Sequence, residues 1–381
     1  MSATAEHTDI NCCIVIPTYN NENTIKRVID GVMKIVPNYQ IMVVDDGCTD
    51  GTPAILEAYK NQIIVLKNTP NQGKGIALQK AFKEAWKLGF KNVITIDSDG
   101  QHYPEDIPLF IKAAQENPGA LIMGSRNMDQ ESVPGKSSFG NKFSNFWFKI
   151  ETGITLPDTQ TGFRLYPLAP ISTMKLFTSK FETEIEVIVK LAWKNTPIVP
   201  ISIRVLYDAD ERVSHFRPFK DFTRISILNT YLVTLTLLYY LPKRVLQLIK
   251  KEAIKSDETN FMKALSIAFG VFMGIVPLWG FQLLIGIPLS IFFKMNKVLF
   301  IASANISLPP AIPFIIYFSY LFGGPFVDNN IEALNLNNLT RESIHLNVVQ
   351  YAIGAVILSV VAAIAAFIIS YVSLMLLRKN K

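Results

Sequence analysis

The chain has 381 residues, room for about two domains. Its 49% hydrophobic content and mean hydropathy of +0.26 are high for a soluble enzyme and point to a membrane-embedded part. A net charge of +6 suits an anionic membrane surface or a phosphorylated substrate; no basic run interleaved with aromatics supports nucleic acid, which is excluded as a partner.

The polar stretch Met1–Asn11 lacks the pattern of a signal peptide, so the N-terminal part is expected in the cytoplasm. Cys12–Pro17 reads as a first strand; Cys12, Cys13 and Cys48 lack metal-ligand spacing and read as reduced core thiols. Asn23-Thr24 suits the cap of a helix over 24–36. Strand 41–44 then ends in Asp45-Asp46-Gly47, followed by a helix over 53–60 and a strand over 63–66. Asn71-Gln72-Gly73-Lys74-Gly75 opens a helix through Leu88. Glycines before a helix N-terminus let backbone N–H groups approach phosphate, and Lys74 adds a point charge. The Walker and dinucleotide fingerprints are absent, which weighs against an NTPase and a dehydrogenase.

Val93–Ile96 reads as a strand running into Asp97-Ser98-Asp99-Gly100-Gln101-His102. In extended chain, the i, i+2 spacing puts Asp97 and Asp99 on one side. With the Gln101 amide oxygen they suit Mg2+ or Mn2+, diphosphate oxygens completing the shell. A polar turn that merely closes a strand has the same composition. Strand 121–123 ends at Gly124-Ser125-Arg126, and Asn127–Ser144 reads as a polar loop. Asp158-Thr159-Gln160-Thr161-Gly162-Phe163-Arg164 precedes a helix headed by Phe181-Glu182-Thr183-Glu184, a strand over 200–206, and Ser214–Pro218, which closes this part. The alternation predicts an α/β fold with an open, mostly parallel, Rossmann-like sheet.

Ile-Pro-Thr-Tyr-Asn, Val-Val-Asp-Asp-Gly, Asn-Gln-Gly-Lys-Gly, Asp-Ser-Asp-Gly-Gln-His, Gly-Ser-Arg and Gln-Thr-Gly-Phe-Arg occur in this order. Over residues 10–220 the chain thereby resembles the family 2 glycosyltransferases of the GT-A fold, above all the dolichol- or polyprenyl-phosphate mannosyltransferase branch. The resemblance implies that Asp46 contacts the base or ribose of a nucleotide-sugar. It implies that Asp97, Asp99 and Gln101 hold Mg2+ or Mn2+ and the diphosphate. Pro17, Tyr19, Asn20, Gly73, Lys74 and Ser98 would complete the donor site, with the loop after Gly-Ser-Arg closing over it. That loop departs from the family pattern: no arginine or serine aligns with the family's loop residues, and Asn141 and Lys142 stand nearby instead.

Two acceptor chemistries ask for different residues. A hydroxyl needs a carboxylate base, for which Asp158 is the first candidate and Glu184 the second. A lipid phosphate is already largely dianionic and needs cationic clamps, a role suited to Arg126, Arg164, Arg212, Arg217 and His215. Structural salt bridges are the rival role for these arginines. His102 reads equally as a neighbour of the metal or as a structural histidine. The catalytic set is therefore Asp99, Asp158, Arg164 and Arg126.

Ile225–Pro242 is uncharged, threonine-rich and flanked by basic residues, as in an interfacial helix. Lys250, Lys251 and Lys255 add a basic stretch suited to anionic lipid. Three apolar segments come next, each longer than the ~20 residues that cross a bilayer. The expected domains are 1–222 (catalytic), 223–260 (interfacial helix and basic linker) and 261–381 (helical membrane domain). The last comprises a re-entrant hairpin over 264–293 and spans over 298–327 and 346–377, and it resembles a C-terminal membrane domain of unknown function. The basic tail Arg378–Lys381 favours an even number of crossings, with catalytic domain and tail both cytoplasmic. The expectation is a multi-pass inner-membrane enzyme moving a hexose from a GDP-mannose- or UDP-glucose-type donor to polyprenyl phosphate. A glycolipid hydroxyl is the second acceptor. A transporter or flippase with a regulatory nucleotide domain is the rival of another class, and homo-oligomerisation is left open.

Overall fold

All seven residues of strand β1 (Cys12–Thr18) are buried, as an uninterrupted apolar run requires of a central strand covered on both faces. The computed structural model describes residues 11–126, 135–206, 217–254, 258–278, 280–307, 311–327 and 341–379. The chain divides into two units, Met1–Val233 and Thr234–Lys381.

In the first unit β1 is followed by helix α1 (Ile25–Met33), β2 (Ile41–Asp45), α2 (Thr52–Glu57), β3 (Ile64–Lys67), α3 (Lys74–Lys87), β4 (Asn92–Thr95) and α4 (Ile107–Glu116). Then come β5 (Leu121–Ser125), α5 (Gly135–Thr152), β6 (Arg164–Pro167), α6 (Leu168–Ser172), α7 (Glu182–Trp193), β7 (Ile198–Ser202) and α8 (Pro218–Leu235). The strands form one sheet in the order β3-β2-β1-β4-β6-β5-β7. Only β6 is antiparallel, to β4 on one side and β5 on the other. This is a mixed, mostly parallel α/β sheet. Helix α1 shows how it is covered: Ile25, Val28, Ile29 and Val32 make one buried stripe, joining Ile14, Ile16 and Val43 of the sheet in the core.

Two elements differ from expectation. Arg164–Pro167 is a strand that the sequence does not announce, because its run of four is too short for periodicity to show. Residues 135–144, expected as loop, belong to α5, while 127–134 lie outside the described residues. The polar composition hides a stripe at helical spacing: Asn141, Ser144, Phe148, Glu151 and Thr152 are buried, and the Trp193 indole of α7 donates to the Glu151 carbonyl at 3.0 Å.

The second unit is helical. It holds a π-helical turn (Thr236–Tyr240), α9 (Leu241–Ile254), α10 (Asn260–Ile275), α11 (Gln282–Phe292), α12 (Lys297–Ala304), α13 (Ile312–Gly323) and α14 (Arg341–Lys379). Small residues let these helices approach closely: a Cβ at Gly270 would strike Ser303, and one at Gly354 would strike the Ser319 carbonyl. The segment 264–293 is two helices with a break between them. The segment 298–327, expected to cross as one span, is also broken, into helices of 8 and 12 residues. Pro309-Pro310, in the gap, cannot donate backbone hydrogen bonds; they lie outside the described residues. Two helices, Phe219–Glu252 and His345–Leu376, are long and apolar enough to cross a bilayer, their most apolar 18-residue windows having mean hydropathies of 1.3 and 2.8. The first covers the stretch expected to be interfacial.

Candidate functional site

Strands β2, β1 and β4 run parallel and end at the same edge, so the segments leaving their C-terminal ends meet in one place. A cavity of about 580 Å³ opens there. It is lined by Pro17, Thr18, Tyr19 and Asn21 at and after the end of β1, Asp46 after β2, Asp97, Ser98, Asp99 and Gln101 after β4, and Asn71, Gly73 and Lys74 at the start of α3. Ala77, Lys180, Phe181, Arg217 and Asp221 complete it.

Asp46 is 3% exposed and fastens the glycine loop to the sheet. Its Oδ1 accepts from Asn68 Nδ2 (2.8 Å) and the Gln72 N–H (3.1 Å), and its Oδ2 from the Gly73 N–H (2.7 Å). Gly73 sits at φ +100°, a backbone region open to glycine, with Ser179 and Lys180 where a Cβ would stand. Asn20 does not line the cavity; its amide instead holds Thr49 across the turn, with Oδ1 accepting from the Thr49 N–H at 2.8 Å.

Asp97 and Lys74 form the charged centre. Lys74 Nζ lies 2.7 Å from Asp97 Oδ1 and 3.0 Å from Glu184 Oε2. Burial opposes the Lys74 charge, but the two carboxylates outweigh it and raise the lysine pKa. Burial likewise opposes ionised Asp97, and the charge of Lys74 overcomes it, so Asp97 titrates below the usual carboxylate range. The Thr-Gly-Phe-Arg motif acts here through its glycine: a Cβ at Gly162 would overlap the Asp97 carboxylate. Thr95 Oγ1 donates to the Gly162 carbonyl at 2.7 Å and keeps that backbone in place. Asp99 Oδ1 accepts the Gln101 N–H at 3.0 Å, turning the chain across the cavity floor. His102 does not line the cavity; it is 6% exposed, its ring 5.3 Å from that of Phe163. Burial pushes its pKa down to about 4, so it is neutral near pH 7.

Three residues expected to act on substrate are engaged elsewhere. Arg164 is 0% exposed and buries its guanidinium among the carbonyls of Thr161 (2.6 Å), Glu184 (2.9 Å) and Thr159 (3.0 Å) and the Tyr166 hydroxyl (3.0 Å). It is a clasp between the 159–164 turn and α7, not a cation facing an acceptor. Arg126 and Asp158 hold each other in a fork: Nε donates to Oδ2 at 2.6 Å and Nη2 to Oδ1 at 3.0 Å. Burial opposes the Asp158 charge, but the bond from Arg126 prevails and lowers its pKa. Arg217 does line the cavity and is exposed, whereas Arg212 and His215 lie outside the described residues.

Sequence reasoning missed Thr18, Asn21, Asn71, Lys180, Phe181 and Asp221. Thr18 Oγ1 and Asn21 Oδ1 are buried without a hydrogen-bond partner among the described residues. Such orphans at a cavity wall are where ligand groups bond. Asn21 was signalled by its place beside the Pro-Thr-Tyr-Asn motif. Lys180 carries no local pattern and reaches the site only through folding.

Residues 13–172 match the family described as Glycosyl transferase family 2, and residues 243–381 match one described as Uncharacterized protein conserved in bacteria (DUF2062). An uncharacterised protein of Methanocaldococcus jannaschii is 31% identical over 216 residues, 53% of this chain and 90% of the relative. The chain belongs to the family 2 glycosyltransferases. It is a glycosyltransferase related to polyprenyl-phosphate mannosyltransferases. A UDP-N-acetylglucosamine–dolichyl-phosphate N-acetylglucosaminyltransferase of Methanococcus voltae is 28% identical, covering 57% of this chain and 95% of that one. The polyprenol monophosphomannose synthase of Mycolicibacterium smegmatis is also 28% identical, covering 40% and 60%. Among solved structures, glucosyl-3-phosphoglycerate synthase of Mycobacterium tuberculosis in complex with Mn2+, UDP and phosphoglyceric acid aligns at 20% identity and TM-score 0.43, covering 60% of this chain and 78% of that one.

In this glycosyltransferase the donor set fits a divalent cation. Asp97, Asp99 and Gln101 offer two carboxylates and an amide oxygen to one cavity. Among the described residues, no three His, Cys, Asp or Glu side chains form a ready-made cage. Magnesium-like ions held by one or two carboxylates take the rest of their shell from phosphate and water.

Proposed function

We propose that this enzyme transfers a hexose from a nucleoside-diphosphate sugar to a polyprenyl phosphate. One observation supports the phosphate acceptor above the hydroxyl: both carboxylates read as bases are committed to cations, Asp158 to Arg126 and Glu184 to Lys74. A hydroxyl acceptor needs a base to take its proton. A phosphate oxygen attacks C1 without one, and the bond from C1 to the diphosphate breaks on the opposite face, inverting the sugar. In this reading Asp46, Thr18 and Asn21 seat the nucleoside, Lys74 faces the diphosphate, and Lys180 and Arg217 draw the acceptor dianion into the cavity. A divalent ion held by Asp97, Asp99 and Gln101 would neutralise charge gathering on the leaving diphosphate. Names among the relatives support this acceptor, since several are polyprenyl- or dolichyl-phosphate transferases. The catalytic unit works in the cytoplasm, where nucleotide-sugars are made, and the apolar helices of a multi-pass inner-membrane anchor bring the lipid within reach.

The test uses full-length protein in detergent, radiolabelled GDP- and UDP-hexoses and a polyprenyl phosphate. The expected product is a labelled lipid from which mild acid releases free sugar and leaves polyprenyl phosphate, the behaviour of a glycosyl phosphate ester. An acid-stable product formed only with a glycolipid acceptor replaces the phosphate reading with the hydroxyl one.

A further inference from the structure

We infer that Lys74 gates the metal site: its ammonium occupies Asp97 until a nucleoside diphosphate draws it away, so that the divalent cation enters with the donor. This rests on the reading of Asp97, Asp99 and Gln101 as the metal-binding set. The ammonium stands 2.7 Å from Asp97 Oδ1, on a carboxylate that the cation would need. Two cations on one carboxylate repel each other, so binding one weakens the other. The packing determines which side chain yields. Asp97 is backed by Gly162, where even a Cβ would collide with it, so the carboxylate cannot withdraw toward that backbone. Lys74 projects on four methylenes from the first residue of α3 and lines the cavity.

Glu184 makes that departure feasible. Its Oε2 lies 3.0 Å from Lys74 Nζ, and its Oε1 is buried without a hydrogen-bond partner among the described residues. When Asp97 is taken, the lysine keeps one carboxylate and swings its remaining N–H groups toward diphosphate oxygens. The buried cation is never left alone, which would carry a heavy penalty. Lys74 is thus a positioning residue that couples metal uptake to donor binding.

The deciding measurement is Mn2+ binding to the full-length protein in detergent, monitored by the electron paramagnetic resonance of free Mn2+, alone and with UDP or GDP. Lys74→Met is expected to bind Mn2+ without nucleotide at least tenfold more tightly than wild type. Glu184→Gln is expected to bind it more weakly than wild type, because Asp97 becomes the only anionic partner of Lys74 among the described residues. A lesion that merely loosened the fold would weaken both. Equal or weaker binding by a folded Lys74→Met overturns the inference while leaving the proposed function standing if wild type takes up Mn2+ with a nucleotide. If Lys74→Met does not fold, unchanged or tighter binding by Glu184→Gln overturns it. If wild type takes up no Mn2+ with either nucleotide, the metal assignment fails and this inference falls with it.

Discussion

Arg164 commits its guanidinium to the fold rather than to the cavity. Its guanidinium satisfies the carbonyls of Thr159, Thr161 and Glu184, and so ties the turn holding Gly162 to the helix holding Glu184. Gly162 sets the position of Asp97, and Glu184 sets that of Lys74. Truncation would strand buried carbonyls, at about 1–3 kcal/mol each before relaxation. Arg164→Ala is therefore expected to lower the melting temperature by on the order of 10 °C. The KM for polyprenyl phosphate in the surviving folded fraction should stay within about twofold. A variant of normal thermal stability with a greatly raised acceptor KM would return Arg164 to the role of phosphate ligand. Arg126 and Asp158 show the same pattern, the guanidinium held by the carboxylate in a two-bond fork.

Helix α5 carries the clearest consequence at the scale of an element. Its buried stripe includes Glu151, a carboxyl at 0% exposure whose pKa burial raises from 4.5 to about 8. Folded protein keeps that proton up to about pH 8, whereas unfolded chain loses it above about 4.5. The folded state thus binds more protons between these values, and stability falls as pH rises through them, by at most about 1.4 kcal/mol per unit. Melting curves of Glu151→Gln should match wild type near pH 5 and exceed it at pH 8, with a flatter dependence between. Parallel pH profiles for the two proteins would show that Glu151 is ionised in the fold. The same helix explains a misreading. Between Gly135 and Ser144 the residues are mostly polar, and the helical stripe becomes visible only once α7 supplies a surface for Phe148 and Glu151 to bury against.

For the whole molecule, the membrane assignment rests on the helices Phe219–Glu252 and His345–Leu376, whose most apolar windows are 22% and 17% buried within the protein. Side chains such as Leu238, Ile364 and Ile369 stand 55% or more exposed, a state that water penalises and lipid does not. Full-length protein should remain in the membrane pellet after alkaline carbonate washing, and release into the supernatant would refute the assignment. Much of this architecture was legible in the residues alone. Apolar runs such as Cys12–Pro17 announce buried strands, glycines and aspartates mark where they stop, and six motifs in order identify the family, because local chemistry is written locally. Contacts between segments distant in sequence are not written that way. Arg164 looks like a phosphate clamp beside its motif and becomes a clasp only when Glu184, twenty residues on, supplies a carbonyl. Asp158 looks like a base until Arg126, thirty-two residues earlier, closes on it. The sequence by itself determined the strand-and-helix alternation, the Asp46, Asp97 and Asp99 carboxylates at the cavity and the apolar C-terminal half. Only the tertiary structure decided which charges face the cavity and which neutralise one another, because the cost of burying an ion depends on the partners that folding brings to it.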